Sequence, residues 1–300
     1  MPPATARTPR GAVRAAAAAV SGLLAVSGIL GLAGYGPSGE SSWNGLAQAA
    51  AGQPGMGHPA AGLPAAGQPA VVAASQVRNP GNGRLEAVVP DVSRTVLLIG
   101  DSQSEPVDGW PRLGLAAAGY NVYFCGRGGT GYVAANGATG NYVDALRRGD
   151  WLLPSGTPAL IVVEGGGNDA ASGAGNAQIA GNAERLIAEL SARYPGTRLA
   201  IIGTLARGSD QGGGRRSEVD ALLGAVAAAH GLPFVSTGDW LTRYGLAKDL
   251  ADAVHMNAEG RRALGVILAG KLRELGLDRR PAPEQAPLAA VPRSDTTYQD

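Results

Sequence analysis

Between Arg94 and Asp278 the chain alternates short apolar runs with longer stretches in which apolar residues recur every third or fourth position. The runs at 95–99, 121–125, 159–163, 199–202 and 233–235 are short, aliphatic and bounded by turn residues, and are read as strands. The stretches at 176–193, 217–230 and 258–275 carry helical spacing, with Asn257 as an N-cap and Gly231 and Gly276 as stops. Strands that are apolar on both faces, separated by helices, predict an α/β domain over 94–278 built on a parallel five-stranded sheet covered on both sides.

Outside that region the pattern disappears. Residues 36–93 are Gly, Ala, Pro, Gln and Ser with repeated short phrases such as A-A-G-Q-P, a composition that cannot bury enough apolar surface to fold. They are read as a disordered linker, able to give roughly 40 Å of reach. Arg7, Arg10 and Arg14 precede a nearly uncharged run from Ala15 to Tyr35, the basic-then-apolar order of an export signal or membrane anchor over 1–35. The domain is therefore expected to be secreted or held at the cell surface. The polar, proline-bearing tail at 279–300 is also expected to be disordered.

A net charge of +1, without dense basic runs in the domain, argues against nucleic acid as a partner. The single cysteine, Cys125, precludes an internal disulfide, and three histidines form no cluster at metal-ligand spacing, so no metal is expected.

In an open parallel sheet, ligands bind where strands end at their carboxyl edge, and three segments there carry chemistry. The first strand leads into Gly100-Asp101-Ser102, which leaves a hydroxyl at the sheet edge that becomes a nucleophile if a base activates it. The third leads into Gly165-Gly166-Gly167-Asn168-Asp169, where glycines let backbone approach a ligand and an amide can donate to an oxyanion. Before the last helix stands Asp252-Ala253-Val254-His255, an imidazole with a carboxylate three residues away to orient it. His58 lies in the linker, and His230 ends a helix ahead of Gly231, an ordinary place for a cation.

Together the blocks G-D-S at 100–102, G-G-N-D at 166–169 and D-x-x-H at 252–255 resemble those of the SGNH, or GDSL-type, hydrolases. The resemblance implies a three-layer α/β/α, flavodoxin-like fold and a serine esterase without a cofactor. It makes Ser102 the nucleophile, His255 the general base and Asp252 its orienting acid. The oxyanion donors it implies are the Ser102 N–H, the Asn168 amide and a glycine in the loop after the second strand. Gly131 fits that place, and Gly129 competes for it in the glycine-rich loop 126–131. Gln103 departs from the aliphatic or aromatic residue usual after the serine; its side chain either alters the acyl pocket or faces solvent.

Gly126-x-Gly128-x-x-Gly131 also satisfies a dinucleotide fingerprint, but Gly137 and Gly140 break the helix that such a site needs. Acyl transfer to a sugar hydroxyl shares the esterase site, and a non-catalytic surface binding module is a further alternative. Tyr132, Tyr142 and Trp151 are the main aromatic surfaces of the freest loops, which suit a small-molecule ester or an O-acetylated glycan. Arg207, Arg215 and Arg216 are read as solvated side chains in a glycine-rich loop. The sequence carries no signal for oligomeric state.

Overall fold

The computed structural model describes residues 75–279. The expected export segment, the linker up to residue 74 and nearly all of the tail lie outside them. Among the described residues no helix is long and apolar enough to cross a membrane.

The first described residues depart from the expected linker. Strands β1 (Ser75–Arg78) and β2 (Leu85–Val88) form an antiparallel hairpin around Asn79, whose side chain accepts a hydrogen bond from the Gly81 N–H at 2.8 Å. Ala87 is fully buried and exchanges backbone hydrogen bonds with Leu153 and Ser155, each at 2.8 Å, while Glu86 pairs with Arg193. The order comes from partners about 70 to 110 residues downstream, which local composition cannot reveal.

The apolar runs then become strands β3 (Thr95–Gly100), β4 (Asn121–Gly126), β5 (Leu160–Glu164), β6 (Leu199–Ile202) and β7 (Phe234–Val235). They form one parallel sheet in the order β4-β3-β5-β6-β7. Alternation along the strands sorts the core into two layers. Leu97, Ile99 and Ile161 pack with residues of α2 (Tyr142–Arg148), α4 (Asn176–Arg193) and α5 (Gly214–Ala229). Val96, Leu98 and Val162 pack on the other face with α1 (Trp110–Ala117), α6 (Trp240–Arg243) and α7 (Ala258–Glu274). The result is the three-layer α/β/α arrangement. The short α3 (Gly167–Ala171) follows β5 directly.

Two features of this frame position the site. The chain leaves β3 toward one neighbour and later returns to pair β5 on its other side, so the sheet's switch point lies between β3 and β5. Helices α1 and α7 also approach closely: a Cβ at Gly114 would sit 2.6 Å from Leu268, and one at Gly265 would sit 2.8 Å from Leu113. The segments before these two helices are the ones that carry Ser102 and His255.

Candidate active site

The turn after β3 is built by Asp101. Its backbone carbonyl accepts from the Ser104 N–H at 3.0 Å and the Glu105 N–H at 2.9 Å, and its Oδ1 accepts from the Gln103 N–H at 2.9 Å. This turn leaves Ser102 at the sheet edge, half-buried, with its backbone N–H free of any acceptor among the described residues.

His255 Nε2 lies 2.8 Å from Ser102 Oγ, and its Nδ1 lies 2.8 Å from Asp252 Oδ2. Asp252 Oδ1 accepts from the Val254 N–H at 2.8 Å and the His255 N–H at 2.7 Å. Those backbone donors, followed by the imidazole, hold the Asp252 carboxyl down at about 2. An ionised carboxylate has no hydrogen to give, so the Nδ1 side must carry the proton; Nε2 then presents its lone pair to the serine hydroxyl. The loop is closed by the Ala251 N–H donating to the His255 carbonyl at 2.8 Å. Asn257 caps α7 as expected, accepting from the Gly260 N–H at 2.9 Å.

Asn168 stands at the start of α3, where Gly166 turns the chain with φ 101°. Its amide nitrogen donates to Asp101 Oδ2 at 3.1 Å and to the Thr130 carbonyl at 2.9 Å, tying together the ends of β3, β4 and β5. Next to it, the Asp169 carboxylate accepts from the N–H groups of Tyr132, Val133 and Ala134 at 2.9, 2.7 and 2.8 Å. That buried clamp shapes the loop after β4.

In the loop that the clamp shapes, the two glycines differ in their hydrogen bonding. The Gly131 N–H donates to the Ala134 carbonyl at 2.9 Å, so its expected place in the oxyanion hole would require that bond to be given up. Its lack of a side chain is a packing need, since a Cβ there would lie 2.4 Å from Asp169 Oδ2. Gly129 keeps an N–H without an acceptor among the described residues. The neighbouring Gly128 is held beside Ser102 by its N–H to Glu105 Oε2 at 2.8 Å and by its carbonyl, which accepts from Asn136 Nδ2 at 2.7 Å. No helix starts in this loop before Tyr142, in keeping with the rejection of a dinucleotide fingerprint.

Three other expectations change. Tyr132, Tyr142 and Trp151 are buried and pack against one another, edge-on for the first pair and tilted for the second, with ring centroids 5.4 and 5.9 Å apart, so they are core and not substrate surfaces. Gln103 is also buried and does not face solvent. Arg216 is not a solvated loop residue: its Nε donates to the Leu205 carbonyl at 2.9 Å, and its charge lies near Asp101 and Glu164. Beneath Ser102, burial pushes the Asp101 carboxyl up to about 6, with the Asp169 charge adding to the rise, and burial followed by the Asp101 charge pushes the Glu164 carboxyl well above its ordinary range. Sequence reasoning missed Glu164, which accepts from Ser104 Oγ at 2.7 Å; its signal was a charge ending an otherwise apolar strand.

Beside Asn168 opens a cleft of about 700 Å³ lined by Gly129, Ala134, Ala171, Ser172 and Gln178 among others, all small or neutral. Among the described residues, no group of three or more His, Cys, Asp or Glu side chains is placed to hold a metal ion.

Several solved structures resemble the chain in fold. A carbohydrate acetylesterase from Sinorhizobium meliloti is 20% identical, with 61% of this chain and 99% of that one covered and a TM-score of 0.44. An aryl esterase from M. smegmatis is 18% identical, with 61% and 99% covered and a TM-score of 0.43. A family two carbohydrate esterase from Clostridium thermocellum is 18% identical, with 66% and 70% covered and a TM-score of 0.45. No curated protein matches in sequence. The sequence pattern of the GDSL-like lipase/acylhydrolase family matches residues 98–263, more than half of the chain and all three of the blocks described above. The chain belongs to the GDSL-like lipase/acylhydrolase family.

Proposed function

We propose that the protein is an exported serine hydrolase that cleaves small carboxylic esters, with Ser102 as nucleophile, His255 as general base and Asp252 as the carboxylate that orients it. The observation that carries this reading is the continuous relay from Asp252 through both nitrogens of His255 to Ser102 Oγ, with 2.8 Å at each ring nitrogen.

In the first step Ser102 Oγ attacks the acyl carbonyl while His255 Nε2 takes its proton. Negative charge gathers on the carbonyl oxygen, where free donors aimed at the site are worth most. The Ser102 and Gly129 N–H groups supply two; the Asn168 amide supplies a third by exchanging one of its present acceptors for the oxyanion. The imidazolium then gives its proton to the departing alcohol, leaving an acyl-Ser102 ester. Water, deprotonated by His255, attacks that ester, and collapse of the second tetrahedral intermediate releases the acid and restores the serine hydroxyl.

The small, uncharged lining of the cleft beside Asn168 favours a neutral, hydrophilic alcohol, such as a sugar carrying a short acyl group, over a long hydrocarbon chain. Export rests on the basic flank and apolar run at the N-terminus, with cell-surface attachment by that segment as the variant in which it is retained.

Hydrolysis of p-nitrophenyl acetate tests the reading. Ser102→Ala and His255→Ala should each lower kcat by roughly four orders of magnitude or more. Asn168→Ala should lower it by about a hundredfold with KM little changed. Wild-type turnover in Ser102→Ala would rule the mechanism out, and faster cleavage of octanoate than of acetate would overturn the substrate class.

A further inference from the structure

Asp252 and His255 sit in an exposed loop, yet the mechanism needs the imidazole held to a fraction of an ångström from Ser102. The loop's other hydrogen bonds run within its own segment or to the start of α7. Among the described residues, one bond besides the Ser102–His255 contact reaches from it to the nucleophile turn: Gln103 Nε2 donates to the Val254 carbonyl at 2.9 Å. It joins the residue after the nucleophile to the residue before the base, so the two contacts form parallel rungs.

The orientation of the Gln103 amide is forced. Trp110 Nε1, on a side chain with no exposed surface, lies 3.0 Å from Gln103 Oε1, and an indole nitrogen can only donate. The amide oxygen must therefore face Trp110, which turns the NH₂ toward Val254. Trp110 is itself seated against Trp240, with ring centroids 5.9 Å apart, so the amide is anchored in the layer beneath the site.

We infer that Gln103 is a positioning residue for catalysis: a buried, Trp110-oriented clamp that fixes the His255 loop in register with Ser102. The inference rests on the assignment of Ser102 and His255 proposed above. Gln103 touches no reacting atom; it acts through the backbone of the loop that carries the base.

Gln103→Glu isolates the clamp, because it keeps an acceptor for Trp110 while its ionised form has no hydrogen for the Val254 carbonyl. A protonated glutamic acid regains that donor. On p-nitrophenyl acetate, kcat should fall by about tenfold or more with KM within about twofold, since loss of alignment acts on the chemical step. The deficit should widen as pH rises and the glutamate ionises. Gln103→Met lacks the donor at every pH, so its deficit relative to wild type should be constant across the same range. Both proteins should retain a cooperative melt, which separates misalignment from unfolding.

Wild-type kcat in either folded variant would overturn the inference. So would a Glu deficit independent of pH, or a rise in KM that accounts for the whole loss. Ser102→Ala measured alongside keeps the two questions apart: full activity there defeats the assignment of the nucleophile, whereas an inactive Ser102→Ala beside a fully active Gln103→Glu defeats only the clamp.

Discussion

At the scale of single residues the site divides into what short spacing reveals and what only folding reveals. Asp252 and His255 are three residues apart in a loop, so a contact between them was legible; their 2.8 Å approach needs no distant element. The choice between Gly129 and Gly131 stayed open in the sequence, because the engagement of the Gly131 N–H by Ala134 arises in a loop that Asp169 shapes from another strand end. The burial of Gln103 was hidden for the same reason, its two partners being Trp110 and Val254. The state of Asp252 yields a prediction here. With its carboxyl held at about 2 by backbone N–H groups, it stays ionised as pH falls, so a loss of activity in mild acid does not arise from Asp252. Asp252→Asn removes the charge that selects the tautomer and stabilises the imidazolium, and kcat should drop by roughly a hundredfold to ten-thousandfold. Activity unchanged by that substitution would exclude Asp252 from the relay.

At the scale of elements, the five core strands and the three long helices could be read from periodicity, with ends within about three residues of those observed. Helices α1 and α2 could not, because Gly114 interrupts the short apolar pattern of one and glycine-rich sequence surrounds the other. The hairpin of β1 and β2 was hidden by its low-complexity neighbourhood. Its second strand is nonetheless part of the domain: it buries Ala87, and Glu86 meets Arg193 on α4. A chain beginning at Arg94 should therefore unfold at lower urea than one beginning at Ser75, with a loss of about 2 kcal/mol or more. Removing one partner of a buried ion pair and uncovering an apolar layer both act in that direction. Equal urea midpoints would mean that the hairpin lies on the domain without stabilising it. Among the described residues its contacts run to Leu146, Leu153, Ser155 and Arg193 and none of its hydrogen bonds reaches Ser102, Asp252 or His255, so kcat should change little while the truncated protein remains folded.

For the molecule as a whole, the demands of catalysis and stability pull in opposite directions along the pH axis. The base must be neutral, so turnover should rise with pH. Beneath it, burial raises the Asp101 carboxyl from 3.8 to about 6, with Gln103 N–H and the Arg216 charge opposing the rise, and raises Glu164 in the same sense. An acid whose pKa is higher in the folded state holds its proton more tightly there than in the unfolded chain. The stabilisation that follows is complete below 3.8 and is lost as pH climbs through about 6. At 1.36 kcal/mol per unit, Asp101 contributes up to about 3 kcal/mol to that change, with Arg216 keeping part of the ionised form tolerable. Asn at this position keeps an oxygen for the Gln103 N–H but cannot titrate. Urea unfolding of wild type and Asp101→Asn at about pH 4.5 and about pH 7.5 should show the wild type losing more stability across the interval, by about 1 to 3 kcal/mol. Identical losses in the two proteins would mean that Asp101 ionises in the fold as it does in the open chain. The larger wild-type loss would instead show that the buried acid next to Ser102 weakens the fold in the pH range where a neutral His255 favours turnover.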